Sequence, residues 1–326
     1  MKFALIICTF MRPVASMTLL ESVRKQTLYP DEILIIDGST DDKTRDALER
    51  QSFPNLQYHK VPDEHRGLTR QRNYGISRTS DVDVICFLDD DTVLERNYFE
   101  ELIKTYQQFP EALGVGGYIT NEAQWEQSAE CTVKHFCFDG WRRSDGSRFI
   151  VRKKLGLDSN VPPGWMPEYS HGRSIGFLPP SGKTYQVQQL MGGVSSFRKS
   201  VFEKFSFSNY FEGYGLYEDA DFTLRVSSTG LLYVNTAARL AHHHDESGRP
   251  NHFKYGKMVV RNGWYVWRVK YPSPSWKAAM KWHTITWLLT FIRFTNILKS
   301  GQREQAFTES LGRVSGWFSI IFNPPR

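Results

Sequence analysis

Val84-Ile85-Cys86-Phe87-Leu88-Asp89-Asp90-Asp91 runs five apolar residues straight into three carboxylates. A short, unbroken apolar run reads as a strand covered on both faces, the habit of parallel sheets. Three adjacent carboxylates at the mouth of such a strand repel one another. A hard divalent cation removes that cost, and Mg²⁺ typically takes one or two protein carboxylates together with substrate phosphates. Acidic runs are more often solvated turns or helix caps, but seldom at the end of a wholly apolar strand. The stretch therefore predicts a buried sheet with a metal site at its carboxyl edge.

Strand and helix signals alternate on either side of it. Residues 3–8 form a continuous apolar run, and Pro13 stands where a helix would begin, with Met17, Leu20 and Val23 at helical spacing. A second strand falls at 33–36. Ser39 or Thr40 could cap a helix carrying Asp41 and Asp42 in its first turn and Arg50 at its end. A third strand at 56–61, a helix at 68–78, the strand at 82–88 and a helix faced by Phe99, Leu102, Ile103 and Tyr106 follow. This order predicts an α/β fold with a mostly parallel sheet and helices on both faces. Beyond a strand at 113–119, residues 121–185 lack clean periodicity, which predicts an elaborated lid or acceptor insertion rather than a bare loop. Strand signals at 186–197 and 231–241 flank a helix at 218–228 that Gly230 closes.

Hydrophobic residues at 40% and aromatics at 14% supply a buried core and exclude a disordered chain. The net charge of +6 is unevenly spread. From Pro250 onward, 12 Lys and Arg face only Glu304 and Glu309, a net of +10, which leaves residues 1–249 at −4. Six of the nine tryptophans lie in the same basic stretch. The N-terminal apolar run is short, meets Arg12-Pro13 and has no small-residue cleavage site, so it reads as a strand rather than a leader. Cys8 and Cys86 fall in apolar runs as core thiols, and Cys131 and Cys137 flank His135 without a fourth ligand for zinc. The cysteines fit a reducing cytoplasm.

Ligands of open α/β sheets bind outside the carboxyl ends of the strands. Those ends carry Thr9 and Arg12, then Asp37 and Ser39, then Arg66, Arg70 and Arg72, then Asp89, Asp90 and Asp91, and finally His242, His243 and His244. Carboxylates, arginines and imidazoles on one rim describe a site for a metal-bound polyanion. Glu218-Asp219-Ala220-Asp221 opens a helix, where acids are favoured in any case, and Asp221 with Arg225 is an i,i+4 pair. Asp219 is the candidate general base. Leu240, His242 and His244 would share one strand face, with His243 pointing away.

With these residues in place the chain resembles glycosyltransferase family 2, inverting nucleotide-sugar enzymes of the GT-A fold, a Rossmann-like α/β architecture. The matching segments are Cys8-Thr9-Phe10-Met11-Arg12-Pro13, Ile35-Ile36-Asp37-Gly38-Ser39-Thr40-Asp41, Arg66 through Gly75, Phe87-Leu88-Asp89-Asp90-Asp91, Met191-Gly192-Gly193-Val194-Ser195-Ser196-Phe197-Arg198, and Glu218-Asp219-Ala220-Asp221 with Arg225. The resemblance covers about residues 1–249 and implies a nucleotide-binding half (1–120), the variable insertion (121–185) and an acceptor half (186–249). It implies that Thr9, Arg12, Asp37, Ser39, Gly193 and an arginine among Arg66, Arg70 and Arg72 hold the nucleotide-sugar. Asp89 and Asp90 would face ribose and sugar, and Asp91, with Asp89, would bind Mg²⁺ or Mn²⁺. His242 is a further metal or diphosphate contact, with His244 as second choice. Asp219, paired with Glu218, would be the base of a single in-line displacement from a nucleoside-diphosphate sugar, UDP being the commonest carrier, onto a hydroxyl of a glycan or lipid-linked acceptor. Relatives often show two acids before the Gly-Ser of the second segment, and this chain has only Asp37.

Residues 250–326 read as a basic, aromatic helical extension. Trp276, Met280, His283, Trp287, Phe291, Phe294 and Leu298 form one helical stripe, with Lys277 and Lys281 outside it. Such a stripe either packs on a core or lies in an anionic membrane interface, and the cations beside tryptophan favour the membrane. That location, peripheral on the inner face of the cell membrane, suits a lipid-linked acceptor such as those of surface-polysaccharide assembly. No nucleic-acid-binding motif accompanies the charge. Two rivals are a sugar-phosphate nucleotidyltransferase, which would need a glycine-rich phosphate loop where Thr9-Phe10-Met11-Arg12-Pro13 stands, and a non-catalytic nucleotide-sugar-binding protein.

Overall fold

A computed structural model describes residues 1–211, 214–243, 251–299 and 301–325. In chain order the elements are β1 (Phe3–Thr9), α1 (Pro13–Arg24), β2 (Glu32–Asp37), α2 (Lys43–Glu49), β3 (Leu56–Lys60), α3 (Leu68–Arg78), β4 (Val84–Asp89), β5 (Thr92–Leu94), α4 (Tyr98–Gln108) and β6 (Ala112–Ile119). There follow β7 (Glu126–Gln127), β8 (His135–Phe138), β9 (Trp141–Ser144), α5 (Ser147–Lys154), β10 (Thr184–Val187), β11 (Val194–Arg198), α6 (Glu218–Ser227) and β12 (Leu231–His242). Three long helices close the order: α7 (His252–Lys270), α8 (Trp276–Thr295) and α9 (Arg303–Phe322). The chain divides into two compact units, residues 1–124 with 175–248, and residues 125–174 with 249–326.

The first unit is built on a sheet in the order β10-β12-β6-β11-β4-β1-β2-β3, with β5 pairing β12. Strands β3, β2, β1 and β4 are parallel, and the apolar runs of β1, β2 and β4 are buried on both faces, as their sequences predict. On one face Leu5, Ile7, Ile33, Ile35 and Cys86 pack with Leu20, Val23, Phe99 and Leu102 of the covering helices. Elsewhere Phe87, Phe197, Phe207 and Phe222 form an aromatic cluster, with Phe207 and Phe222 stacked at 4.2 Å.

Three details depart from the sequence reading. Residues 186–197, read as one strand, are two strands separated by a turn at Gly192-Gly193, where two glycines in a row break the run. β11 then runs antiparallel to both β4 and β6, so the sheet is parallel on one side and mixed on the other. Helix α2 starts at Lys43, past Asp41 and Asp42, because the Ser39 hydroxyl is not a cap but accepts from the Met11 amide at 2.8 Å.

These connections decide where the site forms. Parallel register puts Asp89 beside Cys8 and Asp37 beside Thr9, so the carboxyl ends of β1, β2 and β4 are level. Because β11 is antiparallel, its entry rather than its exit lies at this rim, with Val194 opposite Leu88. β5, immediately after Asp91, pairs with the end of β12 and sets His242 opposite Thr92.

In the second unit β7, β9 and β8 form a small antiparallel sheet. Cys131 and Cys137, which the sequence left as thiols unsuited to zinc, are joined as a disulfide. Arg173 is sandwiched by the rings of Phe136 and Phe149 and paired with Asp145 and Asp158. The segment lacks periodicity because its partners lie far along the chain. The buried Trp267 indole donates to the Glu168 carbonyl at 2.7 Å, Tyr271 to that of Met166 at 2.9 Å, and His171 packs against Trp282. Helices α7 and α9 approach closely enough that a Cβ at Gly256 would lie 2.1 Å from the Glu309 carbonyl oxygen. Helix α8 buries Ala278, Trp282, Ile285, Thr286 and Thr290. Most of the stripe predicted from the sequence is its other face: Trp276, Met280, Trp287, Phe291 and Phe294 are exposed, as is Leu298 just beyond, but His283 is half-buried and accepts from the Trp317 indole. Among the described residues no helix is long and apolar enough to cross a membrane.

Candidate active site

The rim of the first unit gathers most of the residues singled out above. Asp89, Asp91 and His242 each offer a ligand atom within 4.8 Å of the others. His242 Nε2 lies 2.9 Å from Asp91 Oδ1, while its Nδ1 faces Glu122 at 3.9 Å. Burial works against a charge on His242, but the hydrogen bond to Asp91 and the nearby carboxylates of Asp89, Asp91 and Glu122 raise its pKa overall. The Asn121 side chain fixes the end of β12, accepting from the His242 amide and donating to its carbonyl. His243 is exposed and spends its amide on the Asp91 carbonyl. His244 lies outside the described residues.

Asp90 points the other way. It accepts from the Thr9 hydroxyl at 2.6 Å and from Arg12 at 3.2 Å, and burial pushes its pKa up to about 6 against those two influences. Arg12 also lies 3.6 Å from Asp91. Thr9 and Arg12 thus hold the acidic turn in shape. Asp37 is fully buried, with one carboxylate oxygen accepting from the Ser39 amide and the other from the Tyr58 hydroxyl. Gln71, which nothing in the sequence singled out, donates to the carbonyls of Thr9 and Ile36 and so ties β1 to β2.

The three arginines left as alternatives are separated. Arg66 donates to the Gly38 carbonyl at 2.7 Å, beside the loop after β2. Arg70 donates to the Glu64 carbonyl. Arg72 is buried among the acids: it pairs with Glu218, stands 3.6 Å from Asp89, and packs near the rings of Phe87 and Phe207. Burial pushes Glu218 up to about 8 even though Arg72 acts to lower it.

Asp219 is placed by backbone. Its carboxylate accepts from the Gly192 amide at 3.2 Å and from the Ala220 amide at 2.8 Å, and burial raises its pKa despite these bonds. The turn that supplies Gly192 can be so close only because it lacks side chains. A Cβ at Gly193 would sit 2.0 Å from Asp89 Oδ2, and one at Gly192 would sit 2.5 Å from Glu218 Oε1. Met11 (φ 59°) and Tyr217 (φ 71°) hold left-handed backbone beside Arg12 and Glu218 respectively. Strain of this kind collects where a fold positions functional groups.

Two carboxylate oxygens and an imidazole nitrogen form a donor set that suits Mn²⁺ or Mg²⁺, with phosphate oxygens completing the coordination. A base candidate, a buried ion pair and this group share one rim, an arrangement suited to displacing an anionic leaving group by a hydroxyl.

The architecture is the GT-A fold of nucleotide-sugar glycosyltransferases. Over 98% of its length the chain is similar to 81% of the crystallised S. aureus TarS 1-349 chain, with a TM-score of 0.54 and 13% identity. Over the same share it is similar to 56% of GalNAc-T7 crystallised with UDP, GalNAc and Mn²⁺, at a TM-score of 0.52 and 13% identity. Residues 4–168 match the family model for glycosyl transferase family 2, and residues 173–258 match the model described as the N-terminal domain of galactosyltransferase. The chain belongs to glycosyl transferase family 2 and is a glycosyltransferase. Curated relatives include the glucosyl-dolichyl phosphate glucuronosyltransferase of Haloferax volcanii, 30% identical over 122 residues, which are 36% of this chain and 38% of that protein. The O-antigen chain rhamnosyltransferase RfbN of Salmonella typhimurium is 30% identical over 94 residues, 29% of each chain. The similarity to these relatives therefore spans little more than a third of their length at most.

Proposed function

We propose that this glycosyltransferase moves a sugar from a nucleoside-diphosphate donor, UDP-linked in the first instance, to a hydroxyl of a glycan or lipid-linked acceptor, with inversion. The observation that carries the reading is the meeting of Asp219 with the Asp89, Asp91 and His242 group at one sheet edge. Asp219 receives the proton of the attacking hydroxyl, and a pKa raised by burial makes it a stronger base than an exposed aspartate. Asp89, Asp91 and His242 would hold Mg²⁺ or Mn²⁺. When bound, that ion neutralises charge on the diphosphate. Arg72 and Glu218 keep Asp89 and the start of α6 in register. The loops carrying Thr9, Arg12, Ser39, Gly193 and Arg66 border the donor, and Asp37 and Asp90 shape them from within. UDP in the crystallised GalNAc-T7 supports the choice of nucleotide, and the dolichyl-phosphate and O-antigen relatives support a lipid-linked acceptor in polysaccharide assembly. With such an acceptor we place the enzyme peripherally at the membrane, at its inner face.

A panel of nucleoside-diphosphate sugars incubated with Mg²⁺ or Mn²⁺ tests this. Release of nucleoside diphosphate, lost in Asp219→Asn, is the expected result. Pyrophosphate release from a nucleoside triphosphate with a sugar phosphate would identify a nucleotidyltransferase instead, and donor binding without turnover would identify a sensor.

A further inference from the structure

The second unit leaves an apolar surface uncovered. The outer row of α8 includes Trp276, Phe291 and Phe294 and continues to Leu298; Phe291 is 64% exposed and Leu298 84%. Helix α9 presents Phe307 and Phe318 on the same side, both about half exposed at 47% and 49%. The two rows adjoin, since the rings of Phe294 and Phe307 are 6.5 Å apart. Single exposed apolar side chains need no explanation, but a contiguous row along two helices marks a contact surface.

Charge selects the occupant. Residues 250–326, which form α7, α8 and α9, have a net charge of +10, and their two acids do little to offset it. Glu309 is buried between Arg293 and Arg313, leaving Glu304 as the exposed one. A second copy of this face would set Lys277 and Lys299 against like charges. An anionic bilayer complements it. Exposed Lys277 rests over the Trp276 ring at the start of the row, and exposed Lys299 follows its end. Lysines with long stems flanking tryptophan and phenylalanine suit the boundary between headgroups and acyl chains. At 20 residues α8 is about 30 Å long, enough to lie along the surface, and the cations in it oppose spanning.

We propose that the outer face of α8 and α9 lies in the interface of an anionic bilayer, with its aromatic rings below the headgroups and its lysines among them. This rests on the membrane location given above and assigns the face responsible for it. The test uses the full chain and vesicles of phosphatidylcholine with or without phosphatidylglycerol. The expected result is binding to the mixed vesicles alone. A Phe291→Ser, Phe294→Ser pair weakens it by at least ~10-fold, given the usual gain from burying a phenylalanine ring. A Lys277→Glu, Lys299→Glu pair weakens it by at least ~5-fold per lysine, the equivalent of about 1 kcal/mol per cation near such a surface. Bromine-labelled acyl chains should quench tryptophan fluorescence of the unaltered bound chain, a reading independent of how any variant folds. Binding that neither pair weakens, or binding without quenching, shows the face to be wrong while leaving the peripheral location intact. No binding at all removes both. A dimer that the phenylalanine pair dissociates would make the face a subunit contact and overturn the proposal.

Discussion

Asp219 is held by two amides and, among the described residues, makes no ion pair, so its removal separates chemistry from architecture. Asp219→Asn keeps the shape but cannot take a proton, and turnover should fall by about 10³-fold, within the range usual for a lost general base, while donor binding is retained. Initial rates and isothermal titration measure the two quantities. Arg72 is the opposite case, because it sits in the interior with Glu218 and beside Asp89. Arg72→Met strips buried carboxylates of their countercharge and should cost about 3–5 kcal/mol of stability, seen as a large drop in melting temperature. Legibility at this scale followed chain locality. Asp89, Asp90 and Asp91 were legible because a strand must point its last residues at the rim. Arg66, Arg70 and Arg72 were not separable, since within one short stretch the sequence does not say which side chain turns inward. Gln71 and Tyr58 were invisible because their partners, Thr9, Ile36 and Asp37, become neighbours only when the strands align.

At the scale of elements, the Gly192-Gly193 turn is the feature on which the rim depends. It enters β11 against the end of β4, and a methyl group at Gly193 would overlap the Asp89 carboxylate. Gly193→Ala should reduce kcat/KM by more than about tenfold through a displaced Asp89, whereas its melting temperature should shift by only a few degrees, since overpacking at an edge costs about 1–3 kcal/mol. An activity loss matched by global unfolding would argue against this account. The apolar runs of β1, β2 and β4 and the helix at 68–78 were readable because burial and periodicity are local properties. The direction of β11 was not, because an apolar run reports burial on both faces and says nothing of which way the chain enters the sheet. Residues 121–185 were unreadable for a related reason: Glu168 and His171 are matched by Trp267 and Trp282, about a hundred residues later.

For the molecule as a whole, the division of charge seen in the sequence now has a structural counterpart, with the acids at the sheet edge and the cations on α7, α8 and α9. The second unit also carries an acid sensitivity. His171 packs half-buried against Trp282, and its pKa is pushed down to about 3, chiefly by desolvation. It is neutral when folded, whereas the unfolded imidazole takes a proton below about pH 6.5. Stability is therefore intact above that pH and is lost as the pH falls toward 3, by up to about 1.4 kcal/mol per unit. Melting curves between pH 7 and pH 4 should show this slope, and His171→Gln should flatten it. The Cys131–Cys137 bond closes only a short loop, so reduction should cost about 2 kcal/mol at most and leave the fold standing in a thiol-rich medium. The joint origin of the second unit in residues 125–174 and 249–326 also imposes a timetable on synthesis. At about 5–20 residues per second, roughly 5–20 s separate the emergence of His171 from that of Trp282. The sheet that bears the acids has all of its residues before α8 exists, whereas the insertion must wait, half assembled, until α7 and α8 have emerged. A chain stopped near residue 248 would thus keep an orphaned insertion rather than a trimmed enzyme.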